Sequence, residues 1–193
     1  MRYHWSGRRR ALTATVFWGF ALFVGAFIHS CAPKNENPAP SEEQPTTFVI
    51  VRHAEKAIRP NDDNPELTET GRRRAEKLAE LFGSTGVTAL YSTPFQRCEQ
   101  TLEPLSKTLD MPITRYEAKN STAFVDSLAQ GDFAGKIVVV VGHSNTVPQM
   151  LNALSGGENY GQIDDADYDN VYIVTRSPSS RKSVAVTRLR LAM

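Results

Sequence analysis

Cysteine is scarce in this chain: 193 residues contain two, Cys31 and Cys98. Cys31 sits at the edge of the N-terminal apolar stretch, so the remainder cannot build an internal disulfide framework. Positive charge is also scarce beyond the N-terminus. Four of the 22 Lys and Arg residues (Arg2, Arg8, Arg9, Arg10) precede Cys31, leaving 18 against 21 Asp and Glu. A mildly acidic body has no electrostatic footprint for nucleic acid, and that class of partner is excluded. Any anion site must be built locally. No internal repeat is present. No phosphate-cradling glycine loop surrounds Cys98, so it reads as a packed residue rather than a reactive thiol.

What is present begins with an address. Residues 1–10 are basic, and residues 11–28 (ALTATVFWGFALFVGAFI) are uncharged and mostly apolar. A positive segment followed by an apolar one reads as a secretory signal. The run is near the lower length limit of a membrane span, so an uncleaved anchor stays open. Ile28-His29-Ser30-Cys31 resembles a bacterial lipoprotein box, which implies lipidation of Cys31, although His29 suits it poorly. Arg8-Arg9-Arg10 also hints at a twin-arginine signal. Each reading keeps the positive residues inside and places residues beyond 31 outside the cytoplasm, in a periplasm or cell envelope, tethered to the membrane by lipid or helix. Residues 32–46, rich in Pro, Glu and Asn, cannot bury a core and read as a disordered tether. The division expected is 1–31 signal or anchor, 32–46 tether and 47–193 folded domain.

Within that domain, Phe48–Val51 is a short β-branched strand. Thr68 or Thr70 caps a helix whose Ala75, Leu78, Ala79 and Phe82 recur at helical spacing up to Gly83. Residues 88–91 form a second strand. Thr93-Pro94 reads as a cap with proline at the first helical position, opening a helix to Leu109 that bends near Pro104. Residues 112–114 form a weak third strand and 121–130 a short helix. The run Ile137–Val141, apolar throughout, predicts a central strand covered on both faces. A helix from Thr146 ends at Gly156-Gly157, and two late strands, 171–175 and 183–189, can pair as an antiparallel edge hairpin. Strands alternating with helices predict an α/β fold, a three-layer α/β/α sandwich with a mainly parallel sheet.

After residue 31 the chain has two histidines, His53 and His143, each just after an apolar strand. Ligands of open α/β sheets bind at the carboxyl ends of strands, so both histidines are expected at one rim. Arg52 and Arg97 belong to the same rim. Two arginines and two histidines converging make an anion pocket shaped for phosphate.

These residues also carry a resemblance. Arg52-His53-Ala54-Glu55-Lys56, Leu67-Thr68-Glu69-Thr70-Gly71, Ser92-Thr93-Pro94-Phe95-Gln96-Arg97 and Gly142-His143-Ser144-Asn145 occur in the order and spacing of the histidine phosphatase superfamily, branch 1 type. The resemblance covers about residues 46–155 and implies a phosphoglycerate mutase-like fold. It implies that His53 attacks phosphorus and becomes a phosphohistidine. Arg52, Arg97 and His143 would bind the equatorial oxygens. It implies no metal and no cofactor; His53 and His143 have no metal-motif partners at short spacing, and Cys98 stands alone. A glutamate after the third strand often protonates the leaving oxygen in the family, which points to Glu117, with Asp126 and Glu55 as fallbacks. Three positions depart from the pattern. Ala54 replaces a glycine, Asn145 stands where one branch has aspartate, and Arg74 replaces a glutamine as a surface exchange.

Two signals are discounted. Asp165, Asp167 and Asp169 mimic a calcium loop, but Arg176 occupies the closing position and the glycine is missing, leaving a solvated acidic loop. Arg72-Arg73-Arg74 reads as a solvated helix face. The expected function is a metal-independent phosphomonoesterase of histidine acid phosphatase type, acting on a small extracytoplasmic phosphate ester. The alternatives are a mutase-like phosphotransferase and a non-catalytic phosphate-binding lipoprotein. Specificity is expected from residues 56–66, 117–135 and 155–170.

Overall fold

A computed structural model describes residues 44–131, 133–156, 159–177 and 183–192. The segment expected as signal or anchor, Cys31 expected to be lipidated, and all but the end of the expected tether lie outside the described residues. Among the described residues no helix is long and apolar enough to cross a membrane.

The chain runs β1 (Thr46–Arg52), α1 (Glu69–Phe82), β2 (Val87–Ser92), α2 (Gln96–Leu109), β3 (Ile113–Arg115), a 3₁₀ turn (Ala118–Asn120), α3 (Ser121–Gln130), β4 (Ile137–Gly142), α4 (Thr146–Ser155), β5 (Asn170–Arg176) and β6 (Ser183–Arg190). The strands form one sheet in the order β3-β2-β4-β1-β5-β6. The first four are mutually parallel, while β5 runs antiparallel to both β1 and β6. The expected edge hairpin is therefore present, and β4 is central, between β1 and β2.

This order explains the layers. Crossovers between parallel strands are right-handed, so travel from β1 to β2 to β3 puts α1 and α2 on one face. The return from β3 to β4 reverses direction and puts α3 on the other, where α4 joins it. Side chains alternate along each strand to serve both layers. Phe48, Ile50, Val138 and Val140 pack with Val125, Met150 and Leu151 of α3 and α4. Val49, Val51, Val139 and Val141 pack with Leu78, Phe82, Leu102 and Leu105 of α1 and α2. That double burial is why β4 is a continuous valine run.

Thr68 caps α1, its side chain accepting a bond from the Gly71 amide at 3.0 Å. The cap of α2 departs from the sequence expectation. Phe95 occupies the N-cap position with no side-chain bond, and Pro94 precedes the helix rather than opening it. Thr93 is drawn instead toward His143. Pro104 lies inside α2, which is continuous across it.

Candidate active site

The parallel register sets Arg52 beside Gly142 at the ends of β1 and β4. The chain continues straight into the two histidines, and the His53 amide donates to the Gly142 carbonyl at 2.9 Å. Gly142 is required by crowding: a Cβ there would meet Thr146 Oγ1 at 2.8 Å and Met150 Cε at 3.0 Å. β2 ends alongside, so Thr93 and Arg97 reach the same rim. The sequence expectation that Arg52, His53, Arg97 and His143 converge matches their placement, and all four line one cleft of about 540 Å³.

The loop carrying His53 is braced by the segments that resemble family motifs. The Ala54 amide donates to Thr101 Oγ1 at 3.0 Å, and the Leu67 amide to Gln100 Oε1 at 2.7 Å. The Thr68 amide donates to the Glu55 carbonyl at 2.8 Å. Gly71 lets α1 dock there, since a Cβ would sit 2.3 Å from that carbonyl oxygen.

His53 is 3% exposed, and its Nδ1 lies 2.8 Å from the Ala54 carbonyl oxygen. A carbonyl can only accept, so Nδ1 carries the proton and Nε2 keeps its lone pair. Burial lowers the His53 pKa to about 3, with the charges of Arg52, Arg97 and His143 adding to it and the bond to Ala54 opposing it. The ring is neutral, hence nucleophilic, across the physiological range.

The His143 ring centroid lies 5.5 Å from that of His53, edge to face. Thr93 Oγ1 sits 3.0 Å from His143 Nε2, and Phe95 meets the ring edge-on at 5.2 Å. Burial, then the charges of Arg97, Arg52 and Lys56, lowers its pKa to about 4. Cys98 is buried as expected, its Sγ 3.9 Å from both nitrogens of His143. Burial pushes this thiol up to about 12, so it remains an inert thiol.

The two arginines differ. Arg52 Nη1 donates to the carbonyls of Asp164, Asp165 and Asp167 at 2.8, 3.1 and 3.2 Å. Its guanidinium lies 4.2 Å over the Tyr168 ring. The acidic loop is thus more than a solvated segment: its backbone fixes Arg52. Arg97 lies 4.4 Å over the Phe95 ring, and its Nε and Nη1 are buried without a hydrogen-bond partner. Arg52 Nε is in the same condition. Buried donors left unpaired are costly, and three of them beside two neutral histidines make a place that can accept an anion.

Glu117, Asp126 and Glu55, the carboxylates expected as proton donors, are not among the residues lining the cleft. Glu117 is exposed at the start of the 3₁₀ turn, and it is Ala118 and Lys119 that line the cleft. Asp126 Oδ1 lies 3.9 Å from Arg176 Nη1. Glu55 is bound by Arg74 through contacts of 2.7–3.2 Å. Arg74 is therefore no surface exchange: its side chain is 12% exposed, and it also donates to the Leu191 carbonyl. Arg72 and Arg73 are exposed as expected, paired with Glu66 and Glu69. Sequence reasoning missed Thr93 as a residue of the site; Lys56, Lys119, Asp165 and Tyr168 fall in the segments expected to set specificity without having been singled out. Lys56 and Thr93 stood inside recognised motifs, which was the available signal; the others lie where no local pattern exists.

Residues 48–119 match the histidine phosphatase superfamily (branch 1). The 8-oxo-(d)GTP phosphatase of Mycolicibacterium smegmatis is 37% identical over 71 residues, which are 35% of this chain and 22% of that relative. The likeness in fold extends further. The protein histidine phosphatase SixA, solved with tungstate, superposes with a TM-score of 0.61 at 20% identity, covering 75% of this chain and 96% of SixA. A mycobacterial glucosyl-3-phosphoglycerate phosphatase superposes with a TM-score of 0.59 at 15% identity, covering 76% and 98%. At such identities these likenesses speak for the fold alone. They agree with the phosphoglycerate mutase-like sandwich expected from the sequence.

Proposed function

We propose that the chain is a metal-independent phosphatase that transfers a terminal phosphoryl group to His53 Nε2 and then to water. The carrying observation is the set of unpaired, buried donors on Arg97 and Arg52 around a neutral His53 whose Nδ1 proton is held by the Ala54 carbonyl. Nε2 attacks phosphorus, the P–N bond forms and the leaving oxygen takes the electron pair of the broken P–O bond. Arg52, Arg97 and His143 hold the equatorial oxygens and stabilise the charge that develops on them. Water then displaces the histidine, releasing phosphate and restoring the lone pair.

The basic residues 1–10 and the uncharged run 11–28 support action outside the cytoplasm at a membrane. Export would bring the domain to extracytoplasmic phosphate esters. Metabolic labelling with a fatty acid tests the tether: label on the chain that disappears in Cys31→Ser is expected, and equal label in both would end the lipoprotein reading.

The catalytic test uses the full chain in detergent with chelator and p-nitrophenyl phosphate. Turnover that persists with chelator and is lost in His53→Ala is expected, together with an acid-labile, base-stable phosphoprotein during turnover. Turnover retained in His53→Ala would overturn the proposal.

A further inference from the structure

The cleft is larger and more cationic than one phosphoryl group requires. Its volume of about 540 Å³ is that of pockets for drug-sized ligands, roughly 300–1,000 Å³. Beyond the four phosphoryl-binding residues, Lys56 and Lys119 also line it. Lys56 follows β1, its backbone fixed by a bridge to Leu67. Lys119 comes from the turn after β3, and β4 and β2 separate these strands in the sheet. The lysines therefore approach from opposite sides. Neither forms an ion pair among the described residues, whereas Arg52 does. Lys56 and His143 line the same cleft.

The carboxylates narrow the chemistry. Glu117 is exposed and not among the residues lining the cleft, while Asp126 and Glu55 are paired elsewhere. Among the described lining residues the carboxylate is Asp165, 87% exposed and 3.4 Å from Arg52 Nη2. Its carboxylate faces the Arg52 guanidinium rather than standing free as a proton donor. An alcohol leaves slowly without such a donor, whereas a phosphate leaves as a stable anion that needs only countercharge.

We propose that the cleft takes the end of a phosphoanhydride chain, with the terminal phosphate at His53 and the next phosphate between Lys56 and Lys119. This rests on the phosphatase reading above and names its substrate class. His53 Nε2 bonds to the terminal phosphorus, and the bridging P–O bond breaks. Its electron pair stays on the shortened chain, which leaves as an anion with no proton delivered. Water then cleaves the phosphohistidine, and its proton is released with the phosphate.

The test compares three substrates on the full chain in chelator: inorganic tripolyphosphate, propanediol bisphosphate and glycerol phosphate. The kcat/KM for tripolyphosphate should exceed that for glycerol phosphate by tenfold or more, with the bisphosphate between. Lys56→Met/Lys119→Met should lower tripolyphosphate turnover about tenfold more than p-nitrophenyl phosphate turnover, chiefly through KM. Lys56→Arg/Lys119→Arg should recover most of that loss. Equal cleavage of the bisphosphate and tripolyphosphate, or equal losses for both assays in the methionine variant, would overturn the inference. Failure of p-nitrophenyl phosphate turnover would instead strike the phosphatase reading itself.

Discussion

The two buried histidines should make the fold acid-sensitive well above the range where carboxylates titrate. His53 is 3% exposed and His143 9%, and both are held neutral to about pH 3 and 4 by burial beside Arg52 and Arg97. An unfolded histidine titrates near 6.5. The folded pKa values lie below the unfolded ones, so protons favour the unfolded chain. Stability is full above pH 6.5 and falls as pH drops toward the folded values. At pH 5 the unfolded histidine lies about 1.5 units below its pKa, which amounts to about 2 kcal/mol for His53 at 1.36 kcal/mol per unit. His143, less enclosed, adds somewhat less. With about 2–4 °C per kcal/mol for a chain of this size, the melting temperature should drop by roughly 6–15 °C between pH 7 and pH 5. Calorimetry of the full chain against His53→Asn/His143→Asn isolates the contribution, because the double variant retains the other groups. Vanadate or phosphate should flatten the slope, since an anion supplies the countercharge these rings lack. A double variant with the same pH slope as the parent would refute the claim that these rings are neutral through burial.

Thr101→Val removes the acceptor of the Ala54 amide while keeping the shape of the side chain. A buried donor left unpaired should cost about 1–3 kcal/mol by denaturant titration, with kcat falling further than stability because the His53 loop loses its brace. Glu117→Gln should change kcat for tripolyphosphate less than threefold, and a loss above about a hundredfold would restore Glu117 as the proton donor.

Much of this architecture was legible because the sequence repeats its signals at several levels. The valine run of β4 carries two-sided burial in its composition alone, and Thr68 and Gly71 mark where α1 must begin and dock. His53 and His143 were legible because strand ends define a rim before any coordinates exist. The remainder depends on long-range pairing. Thr93 has the local chemistry of a helix cap, and only the return of β4 beside β2 gives it a histidine to bond. The aspartates of residues 164–169 look solvated by composition. Beyond the Asp165 carboxylate near Arg52 Nη2, their contribution to the site is through backbone carbonyls, which carry no side-chain signature. Lys56 and Lys119 are ordinary surface lysines until the sheet order sets them across one cleft.

Arg74 shows how such a departure can be compensated. A cation on the inner side of α1 would be costly alone, with its side chain 12% exposed, yet Glu55 meets it through both carboxylate oxygens and is itself 19% exposed. Bonding to Arg74 holds the Glu55 carboxyl below its usual range against the opposing effect of burial. Arg74 also holds the segment after β6, its Nη1 donating to the Leu191 carbonyl at 2.5 Å. Removing one member leaves the other charge enclosed, so Arg74→Gln and Glu55→Gln should each cost about 2–4 kcal/mol. The double variant leaves no enclosed charge and lets two amides hydrogen-bond. It should cost clearly less than the two single changes together, with a coupling energy of about 1–3 kcal/mol. Strict additivity in urea titrations would mean that the residues act independently, and that Arg74 is held by Leu191 rather than by Glu55.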